Sequence, residues 1–131
     1  MEIYWSNFQR ISKIERPIIS IIIPIYNRIH FFKKMIDSIL YQNHKLNKII
    51  ELIILDDNSE NRISDLILNF LKKISNTSNN NKIINRFRFV YYKHSTNKGE
   101  FSNTNYGIKV SNGIWKFILH DDDYILPNFF S

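Results

Sequence analysis

The amino-acid sequence predicts an α/β domain: an open, mainly parallel sheet with helices on both faces. Two observations carry that expectation. Apolar β-branched runs, of the kind strands buried on both faces require, alternate with segments whose apolar residues return at helical spacing. The chain also has 131 residues and 44% hydrophobic content, enough for one core of ordinary composition.

The elements follow in order. Ile18-Ile19-Ser20-Ile21-Ile22-Ile23 is the first predicted strand, ended by Pro24. Phe32, Met35, Ile36, Ile39 and Leu40 mark a helix. Residues 49–55 give a second buried strand, ended by Asp56-Asp57-Asn58-Ser59. Ile63, Leu66, Ile67, Phe70, Leu71 and Ile74 mark a second helix, and the low-complexity residues 75–81 read as an exposed loop. Phe87, Phe89 and Tyr91 alternate within a third strand over residues 86–92. Residues 102–110 form a weaker third helix. Residues 116–119 form a short fourth strand, ended by His120-Asp121-Asp122-Asp123, and Pro127 opens a further element. Residues 1–16 hold Trp5 and Phe8 without a clear period. They are expected to be an N-terminal extension, a short helix on the sheet or a loose tail, ahead of one domain over residues 17–131. The β-α-β-α-β-α-β order calls for right-handed crossovers.

Composition removes several chemistries. With no cysteine, disulfides, thiolate metal sites and cysteine nucleophiles are excluded. Three glycines are too few for a glycine-rich phosphate loop or a dinucleotide fingerprint. The longest apolar run, residues 18–26, is too short to span a bilayer, and the first residues lack the order of a secretory signal. The expected protein is soluble or at most peripheral. Its net charge of +6 favours anionic partners, but the basic residues are scattered and no nucleic-acid motif is present. Ala is absent while Ile, Asn and Lys abound, which points to codon bias and lowers the meaning of any single Asn or Lys.

In open α/β sheets, ligands bind outside the carboxyl ends of the strands. Three strand ends carry unusual groups: Pro24-Ile25-Tyr26-Asn27-Arg28, Asp56-Asp57-Asn58-Ser59 and His120-Asp121-Asp122-Asp123. The fold class brings all three to one edge. Acidic clusters gathered there need a cation or hydrogen-bond donors to be stable. A hard divalent ion, Mn²⁺ or Mg²⁺, completes its shell with water and phosphate oxygens, which points to a nucleoside diphosphate. Asp56 or Asp57 is then left to accept hydrogen bonds from a base or ribose, and Tyr26 offers a ring for stacking. The bland alternatives are an Asx-turn and helix cap at residues 57–59 and a solvated turn at the triple Asp. A phospho-receiver or haloacid-dehalogenase-type domain needs acids after the first strand, where this chain has Pro24.

These segments resemble the N-terminal, nucleotide-binding half of the family 2 glycosyltransferases, which have the GT-A fold, a Rossmann-like arrangement. The match runs from residue 18 to 131. It includes Asn97-Lys98-Gly99, Asn105-Tyr106-Gly107-Ile108 and Gly113, and ends in Phe117-Ile118-Leu119-His120-Asp121-Asp122-Asp123-Tyr124-Ile125-Leu126-Pro127.

The resemblance implies a strand order of 3-2-1-4 in a truncated GT-A sheet, with a sugar nucleotide over the carboxyl ends. Pro24, Tyr26 and Asn27 would line its pocket, and Asp57 would accept a hydrogen bond from the base, commonly uracil. Asp121, Asp122 and Asp123 would be the acidic DXD-type motif, with Asp121 near the ribose, Asp122 on the metal and Asp123 a second metal or structural acid. His120 stands where many members carry the first acid. Asn105 and Gly107 would serve helix packing and the pocket wall.

The implied reaction is metal-dependent transfer of a sugar from a nucleotide-diphospho-sugar, a UDP-sugar being favoured, to a glycan or lipid-linked acceptor. The setting would be polysaccharide or glycoprotein assembly in the cytoplasm, at the inner membrane face. In the family the acceptor half and catalytic base lie beyond residue 131, so no residue here is assigned as base. A non-catalytic nucleotide-sugar-binding module is the alternative. Without later strands, the edge at residues 116–119 would stay open and invite self-association.

Overall fold

The structure is a computed structural model that describes residues 2–7, 16–41, 48–76, 86–120, 122–127 and 129. Its strands are β1 (Glu2–Ser6), β2 (Ile19–Ile25), β3 (Ile50–Asp56), β4 (Phe87–Lys93) and β5 (Trp115–Ile118). Its helices are α1 (Phe32–Leu40), α2 (Asn61–Asn76) and α3 (Glu100–Val110). They build one sheet in the order β1-β4-β3-β2-β5. The four strands read from the sequence are mutually parallel and lie in the expected 3-2-1-4 order.

The Ile-rich runs form the centre because both of their faces are covered. Ile21, Ile23, Leu52, Ile54, Phe87 and Phe89 point to the α1 and α2 side, where Met35, Ile36, Ile39, Ile67 and Leu71 complete the larger core. Ile22, Ile53 and Leu55 point to the other side, against Tyr106 and Val110 of α3. Burying each such side chain contributes roughly 1.5–3 kcal/mol, so the two-sided pattern decides the parallel sheet. Gly107 lets α3 approach closely, since a β-carbon there would lie 2.3 Å from Leu55 Cδ1 and 2.6 Å from Ile22 Cγ2.

At the N-terminus the described residues depart from expectation. Residues 2–6 are an edge strand antiparallel to β4, neither helix nor tail. Asn7 extends the pairing: its Nδ2 donates to Phe87 O at 3.0 Å, and its Oδ1 accepts from Phe89 N at 2.7 Å. Phe8 lies outside the described residues. Ser75 and Asn76, read as loop, close α2, and the following residues of that run also lie outside them.

Pro24 does not end its strand, because β2 continues to Ile25. The sheet tolerates it for a geometric reason. Ile22 O accepts from Leu119 N at 2.9 Å, so Ile22 and, two residues on, Pro24 turn their hydrogen-bonding groups toward β5. The last β5 residue, Ile118, lies opposite Ile22. The missing N–H of Pro24 therefore faces a place where no strand remains to accept it.

A buried polar cluster fixes β5 against β2. Glu51, 1% exposed, accepts from Ser20 Oγ at 2.7 Å, Asn112 N at 2.8 Å and Asn112 Nδ2 at 3.1 Å. Ser20 Oγ in turn accepts from Gly113 N at 2.7 Å. Lys116 Nζ donates to the Ile108 and Ser111 carbonyls, tying β5 to the end of α3. Among the described residues no helix is long and apolar enough to cross a membrane.

Candidate functional site

Beyond the Ile22–Ile118 pair, β2 runs on to Ile25 without β5 beside it. The gap is a cavity of about 370 Å³ lined by Pro24 and Ile25 at the end of β2, Tyr26 and Arg28 just after it, Asp57 just after β3, Asn97, Gly99, Glu100 and Asn103 around the start of α3, and His120 after β5. It lies where the first and fourth parallel strands part, the place an open α/β sheet offers a ligand.

The two adjacent aspartates divide their work. Asp56 is fully buried, and its carboxylate accepts from Ser59 N at 2.7 Å, Ser64 Oγ at 3.0 Å and the Tyr91 phenol at 2.5 Å. Burial first, and then the neighbouring Asp56, hold the Tyr91 proton far above the ordinary tyrosine range. Asp56 is thus a structural acid, not a free acceptor for a base or ribose as the sequence reading allowed. Asp57 faces the cavity and clamps its far wall: Oδ1 accepts from Lys98 N at 2.6 Å and Oδ2 from Gly99 N at 2.9 Å. Each oxygen keeps a further lone pair. Hydrogen-bond donors stabilise this acidic pair.

Gly99 has φ +88°, a left-handed conformation that glycine adopts without strain, and its carbonyl accepts from Asn103 N at 3.0 Å to start α3. Asn103 Nδ2 donates to Leu55 O at 3.0 Å, which turns its Oδ1 to His94 at 2.9 Å, so His94 Nε2 is the donor.

Of the residues expected from the sequence, Pro24, Tyr26 and Asp57 meet around the cavity. The Tyr26 side chain is 47% exposed at its mouth. Asn27 does not line it. At φ 55°, its N donates to Ser59 Oγ at 2.8 Å and its Oδ1 accepts from Glu60 N at 2.8 Å, joining the loop after β2 to the start of α2. Asp122 and Asp123 are exposed and follow His120, outside the lining. Their turn is held by Asp123 N to His120 O at 3.1 Å, and Ile125 N reaches Ser38 Oγ at 3.2 Å. Asp121 lies outside the described residues. Gly107 packs on the sheet, and Asn105 lies in a separate cleft across α3.

Sequence reasoning gave no role to Asn97, Glu100 or Asn103. Asn97 and Gly99 sat in a quoted motif, but only the Asp57 clamp shows why the motif reaches the cavity. Among the described residues no three His, Asp or Glu converge as a ready metal cage. Asp122 and Asp123, exposed two and three residues after the lining residue His120, are nevertheless donors of the type suited to a hard divalent ion that keeps water and phosphate oxygens in its shell.

The sequence model of the family described as Glycosyl transferase family 2 matches residues 20–131, which include every residue lining the cavity and all but the first residue of the parallel sheet. The chain belongs to glycosyl transferase family 2. An uncharacterized glycosyltransferase of Rickettsia bellii is 34% identical over 116 residues, 84% of this chain. The chain spans 14% of that relative's length.

Among solved structures, S. aureus TarS 1-349 in complex with UDP superposes with a TM-score of 0.65 at 20% identity, covering 84% of this chain and 29% of that one. The mannosyltransferase PcManGT of Pyrobaculum calidifontis, solved with GDP-Man and Mn²⁺, gives a TM-score of 0.65 at 16% identity, covering 85% and 29%. These likenesses show that the chain shares the fold of these glycosyltransferase structures.

Proposed function

We propose that this chain is the donor-binding half of a glycosyltransferase that moves a sugar from a nucleoside-diphosphate sugar to an acceptor hydroxyl. The observation that carries the reading is the cavity at the carboxyl ends of β2 and β3, where Tyr26 and Asp57 face one space of about 370 Å³. Nucleotide ligands in the related structures, UDP in TarS and GDP-Man in PcManGT, support it.

In this reading the Tyr26 ring stacks on the base, and the second lone pairs of Asp57 accept its N–H while the first keep the 98–99 wall in place. Pro24 forms the floor, and Arg28 brings a cation to the phosphate side. Asp122, with Asp123 beside it and Asp121 next in sequence, would hold Mn²⁺ or Mg²⁺, which neutralises charge on the departing diphosphate. A UDP-sugar is the favoured donor, with a glycan or lipid-linked acceptor at a cytoplasmic membrane face.

The second reading is a nucleotide-sugar-binding module without turnover. It is favoured by the commitment of Asp57 to two backbone amides, which leaves Glu100, 4.0 Å from His120, as the other carboxylate lining the cavity among the described residues.

Calorimetric titration with UDP, GDP and dTDP, with and without Mn²⁺, tests the donor site on the chain and on Asp122→Ala. Metal-assisted binding of one nucleotide that Asp122→Ala abolishes is expected. A folded chain that binds none of the three overturns the reading. Sugar transfer by this chain alone would remove the second reading.

A further inference from the structure

A second cleft lies across α3 from the nucleotide cavity. It is lined by His94, Lys98, Ser102, Asn105, Tyr106 and Lys109 and holds about 340 Å³. Ser102, Asn105, Tyr106 and Lys109 recur at the spacing of one helix face, and His94, 5% exposed, closes the cleft from the end of β4. Its charge is one-signed. Two lysines line it, and among the described residues no carboxylate does. The nucleotide cavity, by contrast, is lined by Asp57 and Glu100. The two spaces share the 98–99 segment as a wall, its backbone amides held by Asp57 on one side while the Lys98 side chain lines the other.

We infer that this cleft binds a phosphate group, separately from the nucleotide. Two ammonium groups supply the charge, Ser102 and Asn105 supply neutral donors, and the half-buried Tyr106 ring lies against His94 at 5.6 Å to form an aromatic back wall. Such chemistry suits a phosphomonoester or pyrophosphate carried on a soluble molecule or on a lipid.

The test is residue-resolved ¹⁵N NMR of the whole chain titrated with inorganic pyrophosphate, beside co-sedimentation with phosphatidylcholine vesicles with and without phosphatidic acid. The variant is Lys98→Gln/Lys109→Gln, with both side chains exposed and folding checked by circular dichroism. Pyrophosphate is expected to shift the amides of Ser102, Asn105 and Lys109, and the double variant to bind it about tenfold more weakly. UDP binding by Lys109→Gln alone, at a residue that lines only this cleft, should be unchanged, which separates this site from the proposed nucleotide site. Lysine-dependent pyrophosphate binding without vesicle binding identifies a soluble phosphate. Lysine-dependent binding of phosphatidic acid vesicles identifies a lipid phosphate. Pyrophosphate shifts confined to Tyr26, Asp57 and Glu100, or equal affinity in the double variant, with no lysine-dependent vesicle binding, overturn the inference.

Discussion

The phenol of Tyr91 on β4 donates to Oδ2 of Asp56 on β3 at 2.5 Å, and both residues are fully buried. The carboxylate that ends β3 is thereby fixed one residue before the carboxylate that faces the cavity. Tyr91→Phe removes that donor while keeping the ring. It is expected to destabilise the fold by about 1–3 kcal/mol in urea unfolding, because a buried acceptor loses a partner.

The same pair gives alkaline pH a sign. The Tyr91 proton is held more tightly in the folded state than in the unfolded chain, whose tyrosines titrate near 10.0. Above that pH the unfolded state loses the proton first and is favoured. The contribution is intact below pH 10 and falls by about 1.4 kcal/mol per pH unit above it. Urea midpoints should decline more steeply from about pH 10 upward in the parent than in Tyr91→Phe. Parallel declines would mean that other groups carry the effect.

Asp57→Ala should free the backbone amides of Lys98 and Gly99. Their hydrogen exchange is expected to accelerate roughly tenfold or more, while amides in the centre of β3 keep their protection. Unchanged exchange at both positions would show that the wall stands without its clamp.

Two glycines should fail differently. Gly107→Ala drives a methyl into Leu55 and Ile22 side chains, costing about 1–3 kcal/mol, and Leu55→Val should restore part of it. Gly113→Ala meets backbone instead, Ser20 N at 2.4 Å, so no side-chain truncation should rescue it. Thermal melts of the singles and the double mutant decide both.

β5 forms one end of the sheet, and Trp115 on it is 69% exposed. Self-association through this strand is expected at high concentration, and Trp115→Lys/Ile118→Lys should reduce it because charge blunts an edge. Sedimentation equilibrium that finds the parent strictly monomeric would sink the prediction.

Much of the fold was legible because it rests on local pattern. The Ile runs that fill β2 and β3 and the Phe32-Met35-Ile36-Ile39 stripe of α1 state their own burial. β1 was not legible, since Ile3, Tyr4 and Trp5 become a strand only by finding β4, and Asn7 acts through atoms 80 and more residues away. The site divides the same way. Asp57 and Tyr26 could be placed by the rule for strand ends. Asp56 and Asp57 are chemically alike in sequence, and only the side each faces, Tyr91 or the 98–99 amides, separates scaffold from cavity wall.

Pro24 has one further consequence. Neighbouring strands tend to zip together, and a notch beside a sheet can be healed by a small lengthening of the next strand. Here that repair is barred covalently. Any mutation that favoured a longer β5 would bring its next carbonyl to a ring with no hydrogen to offer. The opening is therefore written into the main chain of β2, and the side chains around it are free to diverge without closing it.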